Sequence, residues 1–408
     1  MDTDETISTF VTFYRDRGHQ PIRSSSLLSP PGDPVLFTSA GMHPLTPYLA
    51  GQPHPLGRRL TGVQRCLRTT DLDEVGDYSH LTVFQMLGSW SLGDYDGPQS
   101  LLWGLELLCD GFGLRRELLY ATVFGGDEQV GPDTRAQQTW SALGLPVELL
   151  GPEDNWWSNG PTGPCGPDSE IHVWTGDGPP SGTPGTDARW LELWNHVTMD
   201  YERHPDGSLT PARQLSIDTG MGLERLLMVT QDSRSVYETD LFKPWLSVLP
   251  SLWRTDGRSL RILTDHLRSA IVVIGDGVRP SNTGRGYVLR RLLRRALTAM
   301  WCGEGGTSLS LGDLPPDLVR HTMERFGQVT ESSLVTGVLA AEERKFRALV
   351  NRGRSLLRRL YPSGQLTEED FQFLRDTHGL PREVITELLG ESASAVAAAA
   401  GVCRSADV

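Results

Sequence analysis

Asp218, Thr219, Gly220, Met221, Gly222, Leu223, Glu224 and Arg225 form the run DTGMGLER, which reads as a glycine-rich turn opening a helix. Glycines let the backbone approach a flat ligand such as adenine, because no Cβ stands in the way. Asp218 can pair with a substrate ammonium, and Arg225, one turn into the helix, can meet a phosphate tail. The run is neither a GxGxxG fingerprint nor a P-loop.

Upstream, Gln64, Arg65, Cys66, Leu67 and Arg68 form QRCLR, followed by MLGSWSLGDY over residues 86–95. Two guanidiniums beside an apolar strand pattern can grip a phosphate, since the planar fork binds phosphate bidentately and keeps its charge. An edge strand with solvated arginines is the plainer alternative. Trp156, Trp157, Ser158 and Asn159 precede a Gly- and Pro-rich hairpin that leads to Glu170. Paired tryptophans there make either a rigid wall for a small ligand or an ordinary core pair.

Asn282 opens a helix whose Arg290, Arg291, Arg294 and Arg295 recur at i, i+1, i+4 and i+5 opposite a leucine face. Such a stripe is a phosphate rail or a solvated amphipathic face, and the Asn282 amide beside it can read a base edge.

The 408 residues, 38% hydrophobic and 22% charged, suit a globular chain of two or three domains. A net charge of -13 argues against a protein that coats nucleic acid nonspecifically, while leaving room for a local basic surface. Cys66, Cys109, Cys165, Cys302 and Cys403 are scattered and odd in number, so neither a disulfide framework nor a zinc site is expected. A helix capped near Thr3 and Asp4 starts the chain without a basic, then apolar, leader, and no apolar run is long enough to cross a bilayer. A cytoplasmic protein is expected, with no membrane partner.

Residues 1–245 read as mixed strand and helix around an antiparallel sheet, with an exposed loop at 175–187. Residues 246–408 turn to long helical periodicity, as in Tyr287 to Ala296 and Val338 to Leu360, and the tail at 393–400 is low in complexity and expected to fray. The expected fold class is α+β followed by a helical domain.

In this order and spacing, LFTSAGM (36–42), QRCLR, MLGSWSLGDY, TGPCGPDSE (162–170), ELWNHV (192–197), DTGMGLER, TDHLRSAIVVIGDGVRPSNTGRGYVLRRLLRRA (264–296) and FLRDTHGLP (373–381) resemble the alanyl-tRNA synthetase family. The resemblance covers residues from about 5 to about 390. It implies a class II catalytic domain, an antiparallel sheet flanked by helices, with a helical tRNA-recognition domain after it. It implies ATP and Mg²⁺ as cofactors, with no assigned metal ligands. Arg68 matches the arginine on the α-phosphate and Arg225 that on the ATP phosphates, with Gly220 and Gly222 shaping the adenosine floor. Asp218 matches the carboxylate that fixes the α-ammonium, and Trp157 and Val197 match walls of the small side-chain pocket. Asn282 and Asp376 match the pair that reads the G·U wobble pair of the alanine tRNA acceptor stem.

Some positions depart from the family pattern. Thr69 and Thr70 stand in a shortened loop after Arg68. Gln85 replaces a glutamate at a position expected near the adenylate. His196 and Thr198 replace apolar residues expected near the pocket. The editing and C-terminal domains of full-length members are not present, which implies tolerated errors, a separate editing protein, or an amino acid destined for a secondary pathway. A non-catalytic tRNA-binding paralogue is the remaining reading.

Overall fold

The computed structural model describes residues 1–29, 35–158, 160–302, 306–361, 364–380, 382, 384–386, 388 and 389, the side chain of Thr307 excepted. Asn159, Cys403 and the 393–400 tail lie outside the described residues. The chain divides into two units, Met1–Pro244 and a second beginning at Trp245.

The first unit is built on a nine-stranded sheet of β1 (Gln20–Ile22), β2 (Arg59–Leu67), β3 (Val83–Leu92), β4 (Leu119–Phe124), β5 (Val147–Leu150), β6 (Trp156–Ser158), β7 (Gly163–Trp174), β8 (Trp190–Arg203) and β9 (Leu209–Gly222). The strand order is β1-β2-β3-β9-β8-β7-β4-β5, with β6 paired to β7. Pairing is antiparallel except β1 with β2 and β4 with β5. β3 and β8 from Trp190 to Met199 are mostly buried on both faces and rich in apolar residues and tryptophan, whereas β9 is buried chiefly from Ser216 onward. QRCLR lies on β2 and its end, where Gln64 to Leu67 pair with β3, while β1 pairs earlier on the strand, at Leu60 to Gly62; Arg65 and Arg68 are half-buried there.

Its helices are α1 (Thr3–Arg15), α2 (Thr46–Leu49), α3 (Gly97–Glu106), α4 (Thr134–Leu143), α5 (Pro152–Asn155) and α6 (Leu223–Thr230). α1 starts at a capping box in which the Asp2 carboxylate accepts from the Glu5 N–H and Glu5 reciprocates, so the cap is Asp2, just before the expected pair. Strand alternation sends Trp194 and His196 of β8 to one face, where Phe10 of α1 packs on Trp194 and the Ser100 hydroxyl of α3 meets His196 Nδ1 at 2.9 Å. Asn195 and Val197 therefore face the other way, and the functional face is the one opposite α1 and α3.

The second unit is helical: most of α7 (Lys243–Leu252), then α8 (Gly257–Gly275), α9 (Gly284–Trp301), α10 (Pro316–Arg325), α11 (Ser332–Leu360) and α12 (Glu368–His378). The leucine face of α9 is its core face, with Leu289, Leu292, Leu293 and Leu297 fully buried. α8 buries charge as well as apolar surface: Asp265 and His266 are both inaccessible, with His266 Nδ1 2.8 Å from the carboxylate.

Candidate active site

β9 runs through Gly222, and α6 begins at Leu223, so the glycines expected in a turn sit instead on the last residues of a central strand. A Cβ at Gly220 would come within 2.6 Å of Met86 Sδ on β3, which makes this a place of close strand packing. Gly222 has room for a Cβ, its nearest neighbours at 3.8 Å being atoms of Arg225.

A cleft of about 550 Å³, open to solvent, is lined by Arg68, Phe84, Met86, Glu192, Asn195, Gly220, Gly222 and Arg225 among others. Arg225 Nη1 donates to the Glu192 carboxylate at 2.9 Å and to its backbone carbonyl at 3.0 Å. Arg68 donates through Nε to the Ser39 carbonyl at 3.2 Å and lies 5.2 Å over the Phe84 ring. Among the described residues the terminal nitrogens of Arg68, and Nε and Nη2 of Arg225, have no protein partner. Two guanidiniums are thus held by part of their donor set and keep the rest for an anion. Burial opposes ionisation of Glu192, but Arg225 and Arg68 together hold its carboxyl below the usual glutamate range.

Beside the cleft a row of paired residues runs across four strands. Val197 on β8 pairs with Asp168 of β7 on one side and Asp218 of β9 on the other, and Asp218 pairs in turn with Trp90 of β3. Trp90 Nε1 donates to the Asp218 carboxylate at 2.6 Å. Val197, 2% exposed, belongs to a buried cluster with Ala40, Met42, Met86 and Trp90, against which Trp157 of β6 packs. A Cβ at Gly41 would meet the Trp90 ring at 2.9 Å and one at Gly88 would meet it at 2.3 Å, so glycines seat the indole that orients Asp218. Burial pushes Asp218 up to about 7 against the pull of the Trp90 hydrogen bond. Burial, then Glu192 and Asp218, push Asp168 well above the ordinary range, and one of its carboxylate oxygens is buried without a hydrogen bond.

The structure brings Arg68, Arg225, Gly220, Gly222, Asp218, Val197 and Trp157 to one face of the sheet. It does not bring Gln85 there. Gln85 alternates with the cleft-lining Phe84 and Met86, is buried, and gives its backbone N–H to both carboxylate oxygens of Glu224 at 3.1 Å. His196 and Thr198 likewise face away from the pocket, and burial pushes His196 down to about 3, leaving it neutral. Glu192, Trp90 and Gly88 join the site without any mark of their own in the sequence motifs that contain them. Strand parity is the signal that finds Trp90 and Gly88, whereas Glu192 requires knowing which strand faces α6. Among the described residues no group of three or more His, Cys, Asp or Glu side chains could hold a metal ion, and no helix is long and apolar enough to cross a membrane.

In the second unit, Asn282 and Asp376 are both exposed. The Asn282 side-chain amide accepts through Oδ1 from Arg290 Nη1, and Asp376 accepts from Arg375 Nε at 2.9 Å. Asp376, with a smaller contribution from Tyr287 of α9, holds the Arg375 guanidinium above its ordinary value. The arginine stripe is not a solvated rail: Arg290, Arg291, Arg294 and Arg295 are all half-buried. Arg290 and Arg294 converge on Glu342 of α11, with Nε to Oε1 distances of 3.0 and 3.4 Å, and Glu342 is 1% exposed. Glu342→Ala strands two partly buried cations, so a loss of about 3 kcal/mol in unfolding free energy is expected, read by urea denaturation.

Residues 5–403 match the family model described as class II (A) tRNA synthetases. An alanine–tRNA ligase of Treponema pallidum is 40% identical over 95% of this chain and 68% of its own length. Those of Treponema denticola and Rubrobacter xylanophilus are 45% and 41% identical, over 72% and 96% of this chain but 52% and 47% of their own. The chain thus spans between about half and two thirds of the length of these relatives. With that match over nearly its whole length, and a mainly antiparallel sheet carrying two arginines and a buried aspartate on one face, the chain belongs to the class II tRNA synthetases.

Proposed function

We infer that this chain joins alanine to ATP as an aminoacyl-adenylate and passes it to the 3′ end of alanine tRNA. The observation that carries the reading is the juxtaposition of Arg68 and Arg225, each with spare N–H donors, and the buried Asp218 on one sheet face. The alanine carboxylate is itself the nucleophile: its oxygen bonds to the α-phosphorus, and the bond to pyrophosphate breaks. No activating base is needed. Catalysis is positioning and neutralisation of charge on the phosphates, by Arg68 and Arg225.

Mg²⁺ carried on the nucleotide phosphates needs few protein ligands, and the carboxylates that line the cleft with both arginines, Asp71, Glu192 and Glu224, are those that would hold it. Gly220 and Gly222 give adenosine a side-chain-free floor. Val197 and Trp157, packed in one cluster, are the walls of a small side-chain pocket on this reading, and such a pocket excludes larger amino acids by size and separates glycine and serine poorly. A separate editing protein fits that need. Such an enzyme of translation acts in the cytoplasm.

Asn282 and Asp376 read the G·U pair of the acceptor stem, with Arg290 fixing the amide of Asn282 and its α9 neighbours backing that surface. Asn282→Ala or Asp376→Ala is expected to lower charging of wild-type alanine tRNA at least 100-fold and leave alanine-dependent exchange of ATP with pyrophosphate within twofold. Equal charging of transcripts with G·U and G·C at that position would remove the assignment.

A further inference from the structure

Residues 344–367 contain seven cations, Arg344, Lys345, Arg347, Arg352, Arg354, Arg358 and Arg359, and no acidic residue, in a chain whose net charge is -13. All seven lie on α11. Two are engaged: Arg347 pairs with Glu343 at 2.6 Å, and Arg354 donates to Asn351 at 3.5 Å. The other five are exposed, and among the described residues none makes a hydrogen bond, ion pair or ring contact. This is the reverse of α9, where the stripe that sequence alone marks as a rail is half-buried and partly neutralised by Glu342.

The free cations are also aligned. Lys345, Arg352 and Arg359 are spaced by seven residues, and at about 100° per residue seven steps return to within about 20° of the same direction. They form one line, about 10 Å between neighbours and about 21 Å long. The exposed uncharged positions between them are Ala348, Asn351 and Ser355, and no exposed carboxylate lies among them to compete for the cations. Arg344 and Arg358 stand beside the line near its two ends.

We propose that this face of α11 is a docking surface for the sugar-phosphate backbone of duplex RNA, gripping the tRNA substrate without reading its sequence. The proposal rests on the reading of tRNA as the acceptor. A row of evenly spaced cations matches a row of backbone phosphates, and the shallow minor groove of an A-form helix presents such rows at its rim. Long flexible side chains reach phosphates as point charges and forks without demanding a fixed register. Docking here and reading at Asn282 and Asp376 divide the work: charge gives affinity, and the exposed amide and carboxylate give selection.

The test is binding of an alanine tRNA transcript to the whole chain, by fluorescence anisotropy over a series of salt concentrations. A variant carrying Lys345→Ala, Arg352→Ala and Arg359→Ala is expected to keep the wild-type thermal midpoint, since alanine suits an exposed helix position. Its Kd should rise at least tenfold at low salt, and its plot of log K against log salt should be shallower by about 2 to 3, at roughly 0.9 for each phosphate no longer neutralised. Arg352→Ala alone should remove about one such step. Wild-type binding with an unchanged slope in the triple variant overturns the proposal and leaves tRNA charging intact. Failure of the wild-type chain to bind the transcript overturns both. Binding to phosphatidylserine vesicles that the triple variant loses, with its tRNA slope unchanged, would assign the face to lipid headgroups instead.

Discussion

Arg225→Ala is expected to lower the rate of alanine-dependent exchange between ATP and pyrophosphate by about 10³-fold, equivalent to about 4 kcal/mol of transition-state stabilisation. The guanidinium is anchored by two bonds to Glu192, at 2.9 and 3.0 Å, and keeps its remaining donors for phosphate oxygens. Alanine at this position removes those donors and also takes from Glu192 the strongest of the groups that favour its charged form. A carboxylate facing phosphates without compensation repels them, so the nucleotide KM should rise along with the fall in kcat. Arg225→Lys keeps the charge and loses the fork. It should recover nucleotide binding better than turnover, because a point charge neutralises phosphate but fixes its geometry less well. A variant that retains exchange within tenfold would mean that the phosphates lie elsewhere.

Asp218→Asn should separate stability from function. Burial holds Asp218 at about 7 in the folded chain against an ordinary value of 3.8. Between those values the folded state binds more protons than the unfolded one, so this group makes stability fall as pH rises from about 4 to about 7 and adds no further slope above. The full effect is on the order of 4 kcal/mol for about three units. Asparagine cannot ionise and can still accept the Trp90 indole N–H, so the variant is expected to be more stable than the parent at pH 8, by up to about that amount. On the proposed reading the same change removes the charge that pairs with the substrate ammonium. The alanine KM should rise about 100-fold, the equivalent of about 3 kcal/mol for a hydrogen bond between charged groups. In the parent chain the alanine KM should improve as pH rises through about 7, because the ionised carboxylate is the binding form. Denaturant melts at pH 5 and pH 8, with KM measured across the same range, test both halves.

The candidate site is partly legible in the sequence because Arg68, Gly220, Gly222 and Arg225 stand at or near the ends of β2 and β9 and the start of α6, marked by glycine and by paired arginines. What the sequence does not supply is strand parity. QRCLR reads equally well with its arginines solvated until Arg65 and Arg68 are seen to be half-buried, with β2 paired to β3 along that run. Gln85, His196 and Thr198 look like changes in the site because they are neighbours in sequence of residues that face it. One residue along a strand reverses the side chain, and all three point away from the cleft or pocket. DTGMG reads as a turn because of its glycines, yet the β9 register with β3 uses Gly220 to admit Met86.

Long-range pairs account for the rest. The arginine stripe of α9 has the spacing of a surface rail, but its neutralising partner, Glu342, lies on α11, 48 residues beyond Arg294. No periodicity within α9 encodes that partner. The exposed cations of α11 escape notice in the sequence for the converse reason: the helix is recognised by its apolar spacing, and its charge becomes informative only once the ion pairs have been traced.

Alanine-dependent exchange of labelled pyrophosphate into ATP, measured on the intact chain with each amino acid in turn, tests the central claim most directly. Exchange with alanine is expected, with glycine and serine trailing by no more than about 10²-fold because a small pocket discriminates weakly against them. Absence of exchange with every amino acid, from a chain that is folded and binds ATP, would contradict it.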